Sequence, residues 1–263
     1  MVLRHSDDYV EGYELLVLRK SEKADMLMDF ASLSLKKGES WHSSSKDERA
    51  FLLAEGSAEI IVGEKVDWIG LGIEGFAKND SVTIDLLPGG ETKIRASRTS
   101  LLDENPTVLH LPKETKVVIK ALSERALFYV SSTDNNMDFS PRLYLPYECR
   151  VEYRNEGTMQ GTATRIVRTV FDKQTAPWSN LVLGEDVNLP GRWSSYPPHH
   201  HPQPEIYHYR FFPAQGYGMT ALGTEAYQLH NRDTLLITGN KDHPQVAAPG
   251  YAMWYLWVIR HLD

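Results

Sequence analysis

The chain has 263 residues, 28 of them basic and 35 acidic, giving a formal net charge of −7 at pH 7. That balance excludes a broad electrostatic nucleic-acid binder, and 41% hydrophobic with 24% charged residues excludes a disordered chain. The single cysteine, Cys149, excludes an internal disulfide and a multi-cysteine zinc site.

No apolar h-region follows Met1, and no run approaches the ~18 apolar residues that would span a bilayer. A cytoplasmic protein with no membrane or nucleic-acid partner is the expectation.

In chain order, β-signals dominate. Glu59–Gly63, Thr107–Pro112, Lys116–Lys120 and Ala126–Val130 are rich in β-branched and aromatic residues and are punctuated by turn formers. The polar stretch Ser131–Asn136 marks a boundary. A second β-set follows at Thr164–Val170, Asn180–Gly184, Glu205–Phe212, Thr234–Thr238 and Tyr251–Ile259. Long helical periodicity is absent. An all-β chain of two units, 1–135 and 136–263, is predicted.

Seven of the ten histidines lie between His199 and His261, most densely in Pro197-Pro198-His199-His200-His201-Pro202-Gln203-Pro204-Glu205. Extended backbone sends alternate side chains to opposite faces, so His199, His201 and Glu205 converge while His200 and His208 diverge. Two imidazoles and a carboxylate suit a divalent first-row metal with open positions. A third imidazole completes the set. His243 is the best candidate, because the turn after Thr234–Thr238 can bring it back beside the first strand; His230 is second. The N-terminal unit offers only His42 and Glu48, a poor set, and is expected to be metal-free. Trp254, Tyr255 and Trp257 are expected in the core, and Cys149 is expected to be inert.

The spacing His199-x-His201-x3-Glu205 with the later His243 resembles the cupin metal signature. The surrounding residues are more specific. Pro190–His201, Pro204–Phe211, His243-Pro244, Ala247–Tyr251, Trp254–Val258 and Val151–Gly157 together look like the 5-deoxy-glucuronate isomerases of myo-inositol catabolism. The resemblance is strong over about residues 140 to 259 and mainly architectural before that.

The resemblance implies a bicupin, two tandem antiparallel barrels, with His199, His201, Glu205 and His243 holding a divalent metal in the second. Zinc is the first expectation, and manganese and iron accept the same ligands. The implied reaction is an aldose–ketose isomerisation that converts 5-deoxy-D-glucuronate to 2-deoxy-5-keto-D-gluconate. The short loop Pro202-Gln203-Pro204 departs from the family pattern. A sister family, the 5-keto-4-deoxyuronate isomerases of pectin breakdown, has a compact loop of this kind and supplies the alternative activity. A non-catalytic sugar-binding cupin is a further alternative.

The reaction needs a proton carrier, and Tyr207 and Tyr209 share the face of Glu205. A sugar-acid substrate needs a cation, and Arg192, Arg165 and Arg168 are candidates. Arg165 and Arg168 fall on opposite faces of their strand, so at most one points inward. Arg210 faces away from Glu205. Edge strands and an aromatic-rich tail lead to the expectation of a homo-oligomer.

Overall fold

Runs of β-branched and aromatic residues become strands along nearly the whole chain. The structure, a computed structural model, describes residues 1–21, 24–68 and 81–262. The first half contributes Val2–Leu3 (β1), Gly12–Val17 (β2), Asp29–Lys36 (β3), Ser40–Ser43 (β4), Glu48–Val62 (β5), Val82–Leu86 (β6), Thr92–Arg98 (β7), Val108–Leu111 (β8), Val117–Ala121 (β9) and Arg125–Thr133 (β10). Arg142–Tyr144 (β11), Arg150–Arg154 (β12), Arg165–Phe171 (β13), Leu181–Asn188 (β14) and Trp193–Ser194 (β15) follow. Glu205–Phe212 (β16), Tyr217–Leu222 (β17), Glu225–His230 (β18), Thr234–Ile237 (β19), Gln245–Ala247 (β20) and Ala252–Arg260 (β21) complete the set.

Among the described residues the strands pair antiparallel, and one isolated parallel bridge joins Asp67 to Arg142. The long β5 pairs β10 and β8 through its first part and β7 and β9 through its second, so one ten-stranded sheet curls into the first barrel. The second barrel closes a seven-stranded sheet, in the order β1-β19-β16-β21-β14-β13-β12, against the four-stranded sheet β15-β20-β17-β18. Each half lends a short strand to the other. β1 extends the sheet of the second barrel, and β11 extends that of the first. A cut between residues 135 and 136 would separate both from the sheets they extend.

The polar stretch at 131–136 begins inside a strand. Ser131, Ser132 and Thr133 end β10 and are buried, the two serines paired to both β3 and β5 and Thr133 to β5. These ladder bonds satisfy the backbone, so small polar side chains do not end the strand there.

Three hydrophobic clusters follow from strand parity. On β10, Phe128 and Val130 face the first barrel's interior, while Leu127 and Tyr129 face outward. On β21, Met253 and Tyr255 face the second barrel's interior, while Trp254, Leu256 and Val258 face outward. The outward faces meet in one core between the barrels, with Phe30, Leu52, Phe171, Leu183 and Ile206. Strands buried on both faces read as continuous apolar runs, which is why β10, β16 and β21 stand out in the sequence.

Two buried polar knots tie the barrels together. Glu48 accepts from Asn135 Nδ2 at 2.6 Å and the Asn180 amide at 2.9 Å, accepts from the Ser179 hydroxyl, and pairs with His110 Nε2 at 2.7 Å. Burial alone would raise this carboxyl; the His110 contact and the other donors outweigh it and hold Glu48 below its usual range. His42 is exposed on β4 and takes no part. Arg98 makes a bidentate pair with Glu185 at 2.7 and 3.0 Å, and Arg168 Nη1 donates to the same carboxylate at 2.9 Å.

Candidate active site

The inner face of the second barrel carries the chemistry. Register places Glu205 and Tyr207 on β16, Trp257 and Tyr255 on β21, Asp186 on β14, Arg165 and Val167 on β13 and Arg154 on β12 along one side of the sheet. They line an open cavity of about 160 Å³, together with Ser195, His199 and His201 from the segment that enters β16.

Glu205 sits at the centre of the imidazoles. Its Oε2 lies 3.0 Å from His201 Nε2 and 3.4 Å from His243 Nε2. Among the described residues, His201, Glu205 and His243 form a group whose ligand atoms all lie within 4.8 Å of one another. His243 enters from the loop between β19 and β20, as the turn predicted. His199 stands at the rim, its ring 4.8 Å from that of His243 and 6.5 Å from that of His201, centroid to centroid. His200 turns away to Asp242, and His208 packs in the core between the barrels against Phe30 and Tyr129. His230 is exposed near Arg4.

The ring nitrogens sort by role. Nδ1 of His201 lies 3.0 Å from the Gln203 carbonyl, Nδ1 of His243 2.9 Å from the Lys241 carbonyl, and Nδ1 of His199 3.3 Å from the Pro197 carbonyl. A carbonyl can only accept, so each Nδ1 carries a proton; His201 Nε2 is hydrogen-bonded to Glu205 Oε2, whereas His243 Nε2 keeps its lone pair free. His243 Nε2 is buried with no hydrogen-bond partner. An orphaned buried acceptor beside a carboxylate, with a second imidazole nitrogen turned to that same carboxylate, is the donor set a divalent cation takes, with backbone carbonyls fixing ring orientation. The hydrogen bond to Glu205 raises the His201 pKa, while burial lowers that of His243.

The two tyrosines separate. Tyr207 lines the cavity, and its hydroxyl shares a 3.1 Å hydrogen bond with Ser195 Oγ. Tyr209 lies one row deeper, where it donates to Gln245 Oε1 at 2.8 Å. Burial pushes both phenols well above their usual range. Ser195 has a left-handed backbone, with φ of 49°, and is held there by Tyr207 and by Gln245 Nε2 at 2.9 Å. A non-glycine residue in that region is a local strain, and here it sets the path of the histidine segment.

The three arginines also separate. Arg165 lines the cavity, with its Nε 3.6 Å from Asp186 Oδ2 and Nη1 donating to the Tyr196 carbonyl at 3.2 Å. Arg168 does not reach it. It faces the other side of β13, in the inter-barrel knot, and donates to the carbonyls of Leu101, Leu102 and Glu104 as well as to Glu185. Arg192 donates to the Gly161 carbonyl, outside the cavity lining. Strand parity separates Arg165 from Arg168, but only the tertiary structure tells which side is the cavity.

Sequence reasoning missed Arg154 and Asp186. Arg154 stands opposite Arg165 across β12 and β13. Asp186 accepts from Tyr255 at 2.8 Å, Ser194 at 3.1 Å and Trp257 Nε1 at 3.0 Å. Burial raises this carboxyl to about 6, against the pull of Arg165 and the hydroxyl donors. The run Leu181-Val182-Leu183-Gly184-Glu185-Asp186 held the signal: a strand with two successive carboxyls must place one on each face. The aromatic tail divides in the same way. Trp254 is core, whereas Tyr255 and Trp257 line the cavity. Cys149 is buried near the Thr169 carbonyl, and burial pushes its thiol to about 12.

Comparison with known proteins agrees with this architecture. The KduI/IolB family model matches residues 2–263. A 5-deoxy-glucuronate isomerase from Geobacillus kaustophilus is 26% identical over 242 residues, covering 86% of this chain and 76% of that one. An IolB-like protein from Salmonella typhimurium LT2 superimposes with a TM-score of 0.71 at 22% identity, over 90% of this chain and 84% of that one. A cupin 2 conserved barrel domain protein from Leptotrichia buccalis gives 0.52 at 13% identity, over 99% and 96%. The two barrels are thus of cupin type.

Proposed function

The chain belongs to the KduI/IolB family, and on that premise we propose that it is an aldose–ketose isomerase that converts 5-deoxy-D-glucuronate to 2-deoxy-5-keto-D-gluconate. One observation carries the reading: a single cavity is lined by His199, His201 and Glu205, with His243 buried against Glu205, and by Arg165 and Arg154. A hydroxyaldehyde that also bears a carboxylate has two ends of matching chemistry.

His199, His201, Glu205 and His243 would hold a divalent metal, which stabilises negative charge on the substrate oxygens as a Lewis acid. Arg165 and Arg154 bind the substrate carboxylate through planar paired donors. Tyr207 keeps its proton, because burial opposes the phenolate, and it serves as a hydrogen-bond donor to the sugar. Zinc as the metal, a role in inositol catabolism, a cytoplasmic location and a homo-oligomeric state complete the proposal. Among the described residues, no helix is long and apolar enough to cross a membrane.

The test is proton NMR of 5-deoxy-D-glucuronate with the metal-loaded protein, with and without chelator. Conversion that stops on chelation is expected. Turnover of 5-keto-4-deoxyuronate in its place would assign the sister activity, which the short Pro202–Pro204 loop favours.

A further inference from the structure

The cavity holds two carboxyls, and they differ in their surroundings. Glu205 is shared between imidazoles. Asp186 is ringed by Ser194, Tyr255, Trp257 and Arg165. We propose that Asp186 is the base that takes the carbon-bound proton from the hydroxyaldehyde and returns it to the neighbouring carbon, an assignment that rests on the isomerase reading above.

Position is the first argument. The sheet runs β16-β21-β14-β13-β12, so Asp186 on β14 lies between Glu205 on β16 and the guanidiniums on β13 and β12. Adjacent strands are spaced about 4.8 Å apart, which puts Asp186 roughly 10 Å across the sheet from the strand of Glu205. A sugar acid held at both ends runs across β21 and β14, so its hydroxyl-bearing carbon lies on the Asp186 side of the aldehyde carbon.

Free valence is the second argument. Oδ2 accepts from both Tyr255 and Ser194, whereas Oδ1 accepts from Trp257 Nε1. A carboxylate oxygen has two lone pairs, so Oδ1 retains one for a substrate C–H. Competing groups are committed elsewhere. Tyr207 is held protonated, Tyr209 is bonded to Gln245, and the imidazoles have their Nδ1 atoms on carbonyls and their Nε2 atoms around Glu205. The charged and titratable groups facing Asp186 are Arg165 from β13, Tyr255 from β21, and Tyr207 and Glu205 from β16, with Arg154 farther off on β12. Burial brings the carboxyl to about 6, close to the pH at which a general base works best.

The step balances internally. Oδ1 takes the proton from the hydroxyl-bearing carbon. The released electron pair forms a carbon–carbon double bond, and the carbonyl pair moves onto the aldehyde oxygen. The neighbouring hydroxyl passes its proton to that oxygen and becomes the ketone. The double-bond pair takes the Asp186 proton at the former aldehyde carbon. One carbon is reduced and its neighbour oxidised, with no outside reagent.

The experiment compares metal-loaded wild type, Asp186→Asn and Tyr255→Phe on 5-deoxy-D-glucuronate in D2O. Asp186→Asn should lower kcat about 10²–10⁴-fold, with KM and metal content near wild type and exchange of the carbon-bound proton lost. A kcat within about fivefold of wild type would overturn the assignment. Tyr255→Phe keeps the carboxylate and removes one donor to Oδ2, which should move the acidic limb of kcat/KM to higher pH. This variant decides the matter if Asp186→Asn does not fold, because an unmoved limb means a purely structural Asp186. Absence of turnover by wild type overturns the isomerase reading itself; turnover by both wild type and Asp186→Asn overturns only the role of Asp186.

Discussion

Tyr255 and Asp186 stand opposite each other across β21 and β14, and the Tyr255 hydroxyl donates to Asp186 Oδ2 at 2.8 Å. Ser194 Oγ lies 2.5 Å from the same phenol, so β15, β21 and β14 meet at this carboxylate. The arrangement anchors the start of the histidine segment to the cavity wall.

Stability should depend on pH through Asp186. Its folded pKa, about 6, lies above the ordinary 3.8. The folded state therefore binds the proton more tightly, and this contribution is fully present below pH ~4 and lost as pH rises through ~6. At about 1.4 kcal/mol per unit, the loss is up to about 3 kcal/mol. Urea titrations of wild type and Asp186→Asn at several pH values measure it. The stability of wild type relative to the variant should fall across that window, and a flat difference contradicts the raised value.

Removing one imidazole should release metal. His243→Ala is expected to cost more than the roughly 10–100-fold in affinity typical of losing a partner one step outside the ligand shell. His199→Ala should cost less than His243→Ala, since His199 stands at the rim. Metal content after dialysis, compared among variants of equal melting temperature, checks both.

Arg165 and Arg168 should part company in kinetics. Arg165→Ala removes a charge-assisted contact with the substrate carboxylate worth about 1.5–3 kcal/mol, so KM should rise roughly 10- to 100-fold. Arg154→Ala should act in the same direction. Arg168→Ala instead strips a partner from buried Glu185 and should cost about 3 kcal/mol of stability, with KM little changed. Arg192→Ala should do neither. Steady-state kinetics alongside thermal melts separates the four.

Gly184 should tolerate no side chain. A Cβ there would sit 2.2 Å from Trp257 Cζ2 and 2.6 Å from the Arg168 carbonyl. Gly184→Ala must therefore push the indole off its 3.0 Å bond to Asp186, and overpacking of this kind costs about 1–3 kcal/mol. Near-UV circular dichroism and melting temperature should both change. Adding Trp257→Phe should recover part of the stability; no recovery would place the strain at the backbone contact instead.

Much was legible from residue order alone. Strand positions follow from β-branched and aromatic runs, and the convergence of His199, His201 and Glu205 follows from a period of two. These properties are local, set by covalent geometry within a few residues. Tertiary structure decided what depends on distant strands. Parity shows that Arg165 and Arg168 diverge, but which face becomes cavity and which becomes inter-barrel core depends on packing between β13 and the loop at 101–104, more than sixty residues away. The same holds for Asp186. Its neighbour Glu185 is equally acidic in the sequence, yet one carboxyl is drawn to Arg98 and Arg168 and the other into the substrate cavity. A carboxyl's role depends on what desolvates and neutralises it, and that is supplied by chain remote in sequence.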